Sequence, residues 1–102
     1  QSFARLKRLV AEPGSAIQGY DEGLWAKNPT LGYTDMPVET SIAVFKAVRA
    51  GSLEVIKRLA PEQLKNFCIH SERGEFSLER WLEIYTRHAI EHADQITKNL
   101  AL

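Results

Sequence analysis

The sequence has little cysteine, no long apolar run and no excess of charge of either sign. Cys68 is the only cysteine, so no disulfide can form within the chain, and we expect a reducing, cytoplasmic setting. The 13 basic and 13 acidic side chains cancel, which argues against nucleic acid or a polybasic membrane anchor as a partner. No apolar run approaches the roughly 18–20 residues that span a bilayer. These absences favour a cytoplasmic protein with neither a membrane nor a nucleic-acid partner.

The length and the first residues bear on domain organisation. A chain of 102 residues is enough for one domain. The first residue is Gln1 and not methionine, and the helical periodicity begins without a preceding cap or turn. We therefore expect residues 1–102 to form a single domain whose natural beginning lies upstream of Gln1.

Helical periodicity dominates the chain. Apolar residues recur every three or four positions in three long segments, which predicts helices over Gln1–Glu12, Pro37–Leu59 and Leu78–Leu100. Ser77 is the expected N-cap of the last helix. Residues 13–36 carry four glycines and read as a long loop with a short helical turn. Residues 66–76 are the only candidate for extended structure and are too short to predict a sheet. The expected fold class is all-α.

The strongest chemical signal is a pair of histidines in the last predicted helix. His88 and His92 are spaced i and i+4, so both imidazoles project from one helix face and can bind one metal ion. They lie on the same apolar stripe as Trp81 and Tyr85. Two buried imidazoles are unfavourable unless a metal or polar partners satisfy them. The alternative interpretation is two partly exposed histidines that are hydrogen-bonded to neighbouring residues.

The same stretch spells H-x-x-E-H, the inverted zinc-protease motif in which Glu91 is the general base. We reject this interpretation. Such a site needs a third ligand from a helix well downstream, and only ten residues follow His92. Glu91 also points about 100° away from His92 on a helix.

The third histidine, His70, lies in the loop before the last helix. His88 lies ten residues, or roughly 15 Å, from the start of that helix. His70, in the loop before the helix, is therefore a poor third ligand. The sequence predicts a surface loop histidine.

The long loop holds a second group of chemical residues. Asp21 and Glu22 are adjacent carboxylates that can act as an acid, a base or a metal ligand; a helix N-cap is the alternative. Trp25 in the loop and Trp81 and Tyr85 in the last helix can line a pocket, although aromatic core packing explains them equally well.

Several motifs together resemble one family. Residues 77–85 (SLERWLEIY) followed by His88 and His92 look like the last helix of the DinB-like, YfiT-type proteins. Residues 69–76 (IHSERGEF) resemble the turn that precedes that helix, with Ser71 in place of a proline. Tyr20-Asp21-Glu22 followed by Trp25 resembles the family's middle loop.

The resemblance implies a four-helix bundle that runs up-down-down-up, of which this chain holds the end of helix 2 and helices 3 and 4. It implies one divalent ion, zinc or nickel, held by His88, His92 and a third histidine expected upstream of Gln1. Tyr20, Trp25, Trp81 and Tyr85 would line the substrate pocket, and Asp21 would orient a small-molecule substrate.

The activity that the resemblance implies is metal-dependent. The ion would activate either water, in a hydrolase, or a low-molecular-weight thiol such as bacillithiol, in an S-transferase. The alternative is a helical binding or assembly module without a functional metal site. A homodimer is expected in either case, because an incomplete bundle exposes apolar helix faces.

Overall fold

The fold is given by a computed structural model, which describes residues 1–87. This part of the chain has four α-helices and three short strands. The helices are α1 (Ser2–Ala11), α2 (Glu22–Lys27), α3 (Val38–Lys57) and α4, which begins at residue 78 and is described to residue 87. The strands are β1 (Ala16–Ile17), β2 (Phe67–His70) and β3 (Gly74–Ser77), and short 3-10 helices cover Pro29–Leu31 and Pro61–Lys65.

The prediction of helices is confirmed within residues 1–87, while residues 88–100 of the predicted last helix lie outside the described residues. The prediction of an all-α fold is wrong in one respect. The structure also contains a three-stranded sheet in the order β1-β2-β3. β1 pairs in parallel with β2, and β2 pairs antiparallel with β3. β2 alternates exposed and buried side chains, which is the pattern of a strand with one face on the core. The fold is therefore mostly helical with a small sheet.

The β2–β3 hairpin has a tight turn that depends on one glycine. His70 pairs with Gly74, and residues 71–73 form the turn. Gly74 has a φ of 72°, in the left-handed region where a side chain is costly. The hairpin leads directly into α4, so it sets the position where that helix begins.

The hydrophobic core lies where α1, the sheet and the start of α4 meet. α1 contributes two leucines, each sheet strand contributes one apolar residue, and α4 contributes its first inward-facing residues. These buried residues are Leu6, Leu9, Ile17, Cys68, Phe76, Leu78 and Trp81. Cys68 is thus a small core residue.

α3 is covered over only part of its length. Its C-terminal half packs on the core through Val55 and Ile56, and Ser52 in the same half is fully buried. The same apolar stripe continues toward the N-terminus, where the side chains of Ile42 and Phe45 are 47% and 61% exposed. α1 has 10 residues and α3 has 20, so α1 is too short to cover the whole stripe.

No helix among residues 1–87 is both long enough and apolar enough to cross a membrane.

Gly51 marks the closest approach of α3 to α1 and gives the first prediction. A Cβ atom at Gly51 would lie 2.8 Å from two carbons of the Phe3 ring. The Lys7 ammonium lies 4.2 Å from the centre of that ring, so the ring already has a neighbour beside it. We expect Gly51→Ala to destabilise the protein by about 1–2 kcal/mol, because overpacking outweighs the gain in helix propensity.

The sign of this effect should reverse when the ring is removed. In a Phe3→Ala background, Gly51→Ala should stabilise the protein by up to about 1 kcal/mol, the gain in helix propensity alone. Urea unfolding of the four proteins measures the cycle. Equal effects of Gly51→Ala in both backgrounds would contradict the packing argument.

Candidate functional site

The candidate functional site lies on the first turns of α4, where two of the predicted pocket residues, Trp81 and Tyr85, are found. The Ser77 hydroxyl accepts a hydrogen bond of 3.0 Å from the backbone N–H of Arg80, so Ser77 is the N-cap that its sequence position predicts. Leu78 and Trp81 are buried in the core. These contacts fix the rotation of α4 and therefore the face that carries Tyr85 inward.

Two of the predicted pocket residues form one aromatic pair. The rings of Trp81 and Tyr85 are stacked, with centroids 4.7 Å apart and an interplanar angle of 13°. The Trp81 indole Nε1–H donates a hydrogen bond of 2.9 Å to the carbonyl oxygen of Ser2. This bond ties α4 to the start of α1 and satisfies the only polar atom of the indole.

The polar surroundings of the pair are incomplete. The guanidinium carbon of Arg49 lies 4.8 Å from the centre of the Tyr85 ring, which is cation–π geometry between α3 and α4. The hydroxyl oxygens of Tyr85 and Ser52 are buried and have no hydrogen-bond partner among residues 1–87. Buried hydroxyls are rarely left unpaired. We therefore expect a further polar group to pair with the Tyr85 hydroxyl on this face of α4.

The two predicted metal ligands, His88 and His92, lie outside the described residues. Residues 1–87 contain no group of three or more histidine, cysteine, aspartate or glutamate side chains that could hold a metal ion. The histidine pair remains a prediction from the sequence.

The loop residues form a second, local aromatic pair. The rings of Tyr20 and Trp25 are 4.3 Å apart. The Asp21 carboxylate is exposed and accepts a hydrogen bond of 3.0 Å from the backbone N–H of Leu24, which makes it the N-cap of α2. One carboxylate oxygen of Asp21 thus has a structural role. No hydrogen bond or ring contact within the described part joins this loop pair to Trp81 or Tyr85.

His70 is the residue for which the sequence prediction is wrong. It is only 4% exposed, not a surface loop histidine. Its Nδ1 accepts hydrogen bonds from the backbone N–H groups of Glu72 and Arg73, at 3.0 and 3.3 Å. The imidazole therefore closes the hairpin turn. The signal in the sequence was its place just before a turn that ends in glycine, where a side-chain acceptor is needed.

This environment makes the hairpin sensitive to acid. Burial, followed by the positive charges of Arg5 and Arg73, lowers the pKa of His70 below its ordinary 6.5, although Glu72 opposes the shift. A protonated Nδ1 also cannot accept the two turn hydrogen bonds. Below pH 6.5 the unfolded state therefore binds the proton more readily than the folded state.

We accordingly expect the contribution of His70 to stability to be complete above pH 6.5 and to be lost as the pH falls toward the lowered pKa of the folded state. His70→Leu should lower the free energy of unfolding at pH 8 by about 1–3 kcal/mol, since the turn loses two hydrogen bonds that are each worth roughly 0.5–1.5 kcal/mol. The difference between the two proteins should shrink on acidification, as measured by urea unfolding. A difference that stays constant on acidification would contradict the assignment.

The sequence matches known proteins over almost its whole length. The sequence profile of the DinB superfamily matches residues 2–96. The chain belongs to the DinB superfamily. No solved structure matches it.

Two curated relatives of this DinB chain come from Oceanobacillus iheyensis. Each bears the name "Putative metal-dependent hydrolase". One is 28% identical over 96 residues, which is 94% of this chain and 54% of the relative. The other is 28% identical over 94 residues, which is 92% of this chain and 53% of the relative. The chain therefore spans about half the length of the curated relatives that it matches.

Proposed function

We propose that this DinB chain carries part of the active site of a metal-dependent hydrolase, with His88 and His92 as two ligands of a divalent cation. The observation that carries the proposal is the family match over residues 2–96, with the metal-dependent hydrolase names of two relatives. The third ligand is the histidine expected upstream of Gln1, because catalytic zinc sites in proteins usually have three protein ligands.

The residues of this chain fit such a group. Imidazole nitrogen suits zinc and nickel. The unpartnered hydroxyl of Tyr85 supports a polar occupant beside this face of α4, because a buried hydroxyl is otherwise paired with protein or water. Tyr85 lies three residues before His88, the spacing of side chains that share a helix face.

A bound divalent cation would supply Lewis acidity and lower the pKa of a water or a thiol. The chain's own residues have separate roles. Trp81 is buried and anchored to Ser2, so it seals one wall against water. Tyr85 can donate a hydrogen bond from Oη to an oxygen of a small-molecule substrate. Asp21 has one carboxylate oxygen beyond its cap bond and is our proposal for a group that orients the substrate.

Water is the nucleophile that the relatives' names favour, and a thiol such as bacillithiol is the alternative. The test is a panel of activated esters and amides, given to the full-length protein loaded with zinc or with nickel, with and without bacillithiol. A hydrolase releases the same acid whether or not the thiol is present. A thiol conjugate that forms only with bacillithiol would assign the transferase activity instead.

One observation favours a function without chemistry. The N-terminal half of the α3 stripe, including Ile42 and Phe45, is exposed in the described structure, and a surface of this kind can join two copies of the protein. A pure assembly module would bind no metal in its full-length form. Metal analysis of the full-length protein therefore separates the two functions.

A further inference from the structure

A groove separates the outer face of the β2–β3 hairpin from α4. It has a volume of about 780 Å³, within the range of small-molecule sites. The groove lies on a different side of α4 from the aromatic pair: Arg80 and Ile84 face it, and Trp81 and Tyr85 follow them by one residue, or about 100° around the helix. The lining residues are Lys65, Phe67, Arg73, Glu75, Phe76, Ser77, Arg80, Ile84 and Arg87.

Positive charge is concentrated in this groove, although the chain as a whole is neutral. Four of the 13 basic residues line it, and they come from the 3-10 helix, the hairpin turn and α4. Two carboxylates oppose them. Glu75 lines the groove, and Glu83 lies 3.0 Å from the guanidinium of Arg80. The cations are Lys65, Arg73, Arg80 and Arg87.

The carboxylates leave much of this charge available. The pair between Arg80 and Glu83 is about half exposed on both sides, and such surface pairs are worth little. A guanidinium has five N–H donors, and the carboxylate of Glu83 uses only part of them. Arg73 lies in the exposed hairpin turn, and no salt bridge within residues 1–87 includes it.

The spacing of the cations and the apolar residues of the groove indicate which kind of ligand it can bind. Arg80 and Arg87 are two helical turns apart, or roughly 10 Å along α4. A molecule of about this length can therefore place one oxyanion group beside each arginine. Phe67, which is 39% exposed, and Ile84 add apolar surface to the same groove. The arrangement matches a molecule with an oxyanion at each end and an organic portion between them, because guanidinium binds phosphate and carboxylate in forked pairs.

We propose that this groove is a binding site for an elongated organic polyanion that carries two phosphate or carboxylate groups. The site is independent of the proposed metal centre and uses a different face of α4.

Calorimetric titration at low ionic strength tests the proposal with fructose 1,6-bisphosphate as the probe and fructose 6-phosphate as the matched probe with one phosphate. The bisphosphate should bind about tenfold more tightly than the monophosphate. Arg73→Gln and Arg80→Gln should each weaken bisphosphate binding by about tenfold, because each removes a charge-assisted hydrogen-bond donor. Glu75→Gln should strengthen it by about twofold or more, because it removes a like charge.

Two variants serve as controls. Lys27→Gln removes one exposed positive charge that does not line the groove and should leave the affinity within about twofold of the wild type, because it takes away no charge-assisted hydrogen-bond donor to the ligand. His92→Ala should also leave it unchanged, which separates the groove from anion binding at a metal. Circular dichroism checks that each variant is folded.

The proposal is overturned if neither probe binds, if Arg73→Gln and Arg80→Gln behave like Lys27→Gln, or if His92→Ala abolishes binding. A hexaglutamate peptide provides a third arm. Binding of that peptide alone would assign the groove to an acidic protein segment and would also overturn the small-molecule proposal.

Discussion

His92→Ala should empty the metal site of the full-length protein. The bound divalent metal, measured by elemental analysis after dialysis, should fall from about one ion per chain to near zero, because a site that has lost one of three protein ligands holds its ion much more loosely. Hydrolysis of the ester panel should fall with it. The effect is large because the imidazole supplies a direct bond to the ion.

The matched control for this variant is Glu91→Gln, next to it in the sequence. Glu91 would be the general base in an inverted zinc-protease motif, but the helical spacing directs it away from His92. We therefore expect Glu91→Gln to keep both the metal and the activity. Metal content that is unchanged in His92→Ala would defeat the ligand assignment, and activity lost in Glu91→Gln with metal retained would revive the protease-like motif.

Trp81→Ala should cause the largest loss of stability among single substitutions in the described part of the chain. The side chain is 3% exposed, stacks on Tyr85 and bonds to Ser2. Truncation of a buried tryptophan costs about 3–5 kcal/mol, whereas a whole domain is stable by about 5–15 kcal/mol. The midpoint of urea unfolding should fall steeply, and the variant is expected to be partly unfolded at physiological temperature.

Two further variants separate the contributions of packing and hydrogen bonding to this loss of stability. Trp81→Phe keeps an aromatic ring but loses the Nε1–H donor, so it should cost less than Trp81→Ala and leave the Ser2 carbonyl without that partner. Trp25→Ala is the matched control, because Trp25 lies in the short helix α2, which has no buried residue, and its described ring contact is with Tyr20. We expect Trp25→Ala to cost about 1 kcal/mol or less. A similar loss of stability in Trp25→Ala and Trp81→Ala would contradict the assignment of Trp81 to the core.

The sequence was sufficient where the signal was local. Ser77 followed by an apolar stripe predicted the start of α4, and the structure gives Ser77 as its cap. Asp21 before a short helical turn offered two interpretations, and the structure shows the capping bond. In both cases a side-chain oxygen lies within three residues of the backbone N–H that it satisfies, so spacing alone carries the information.

The parts that the sequence did not predict depend on contacts between distant residues. β1 has two residues and exists because it pairs in parallel with β2, more than 50 positions away. Two residues are too few to show the alternating pattern that predicts a strand from sequence. His70 is buried in the folded hairpin, which no periodicity reveals. The groove cations are likewise scattered in sequence, and the fold places Lys65 and Arg73 in the same groove as Arg80 and Arg87 of α4.

The most direct test of the central claim is to ask whether a bound cation lies next to Trp81. The indole N–H signals of Trp81 and Trp25 in the full-length protein can be followed by nuclear magnetic resonance while paramagnetic Ni²⁺ or Co²⁺ is added. We predict that the Trp81 signal broadens at one equivalent of metal and that His92→Ala abolishes the broadening. A Trp81 signal that stays sharp while the protein binds the metal would contradict a metal site on this face of α4.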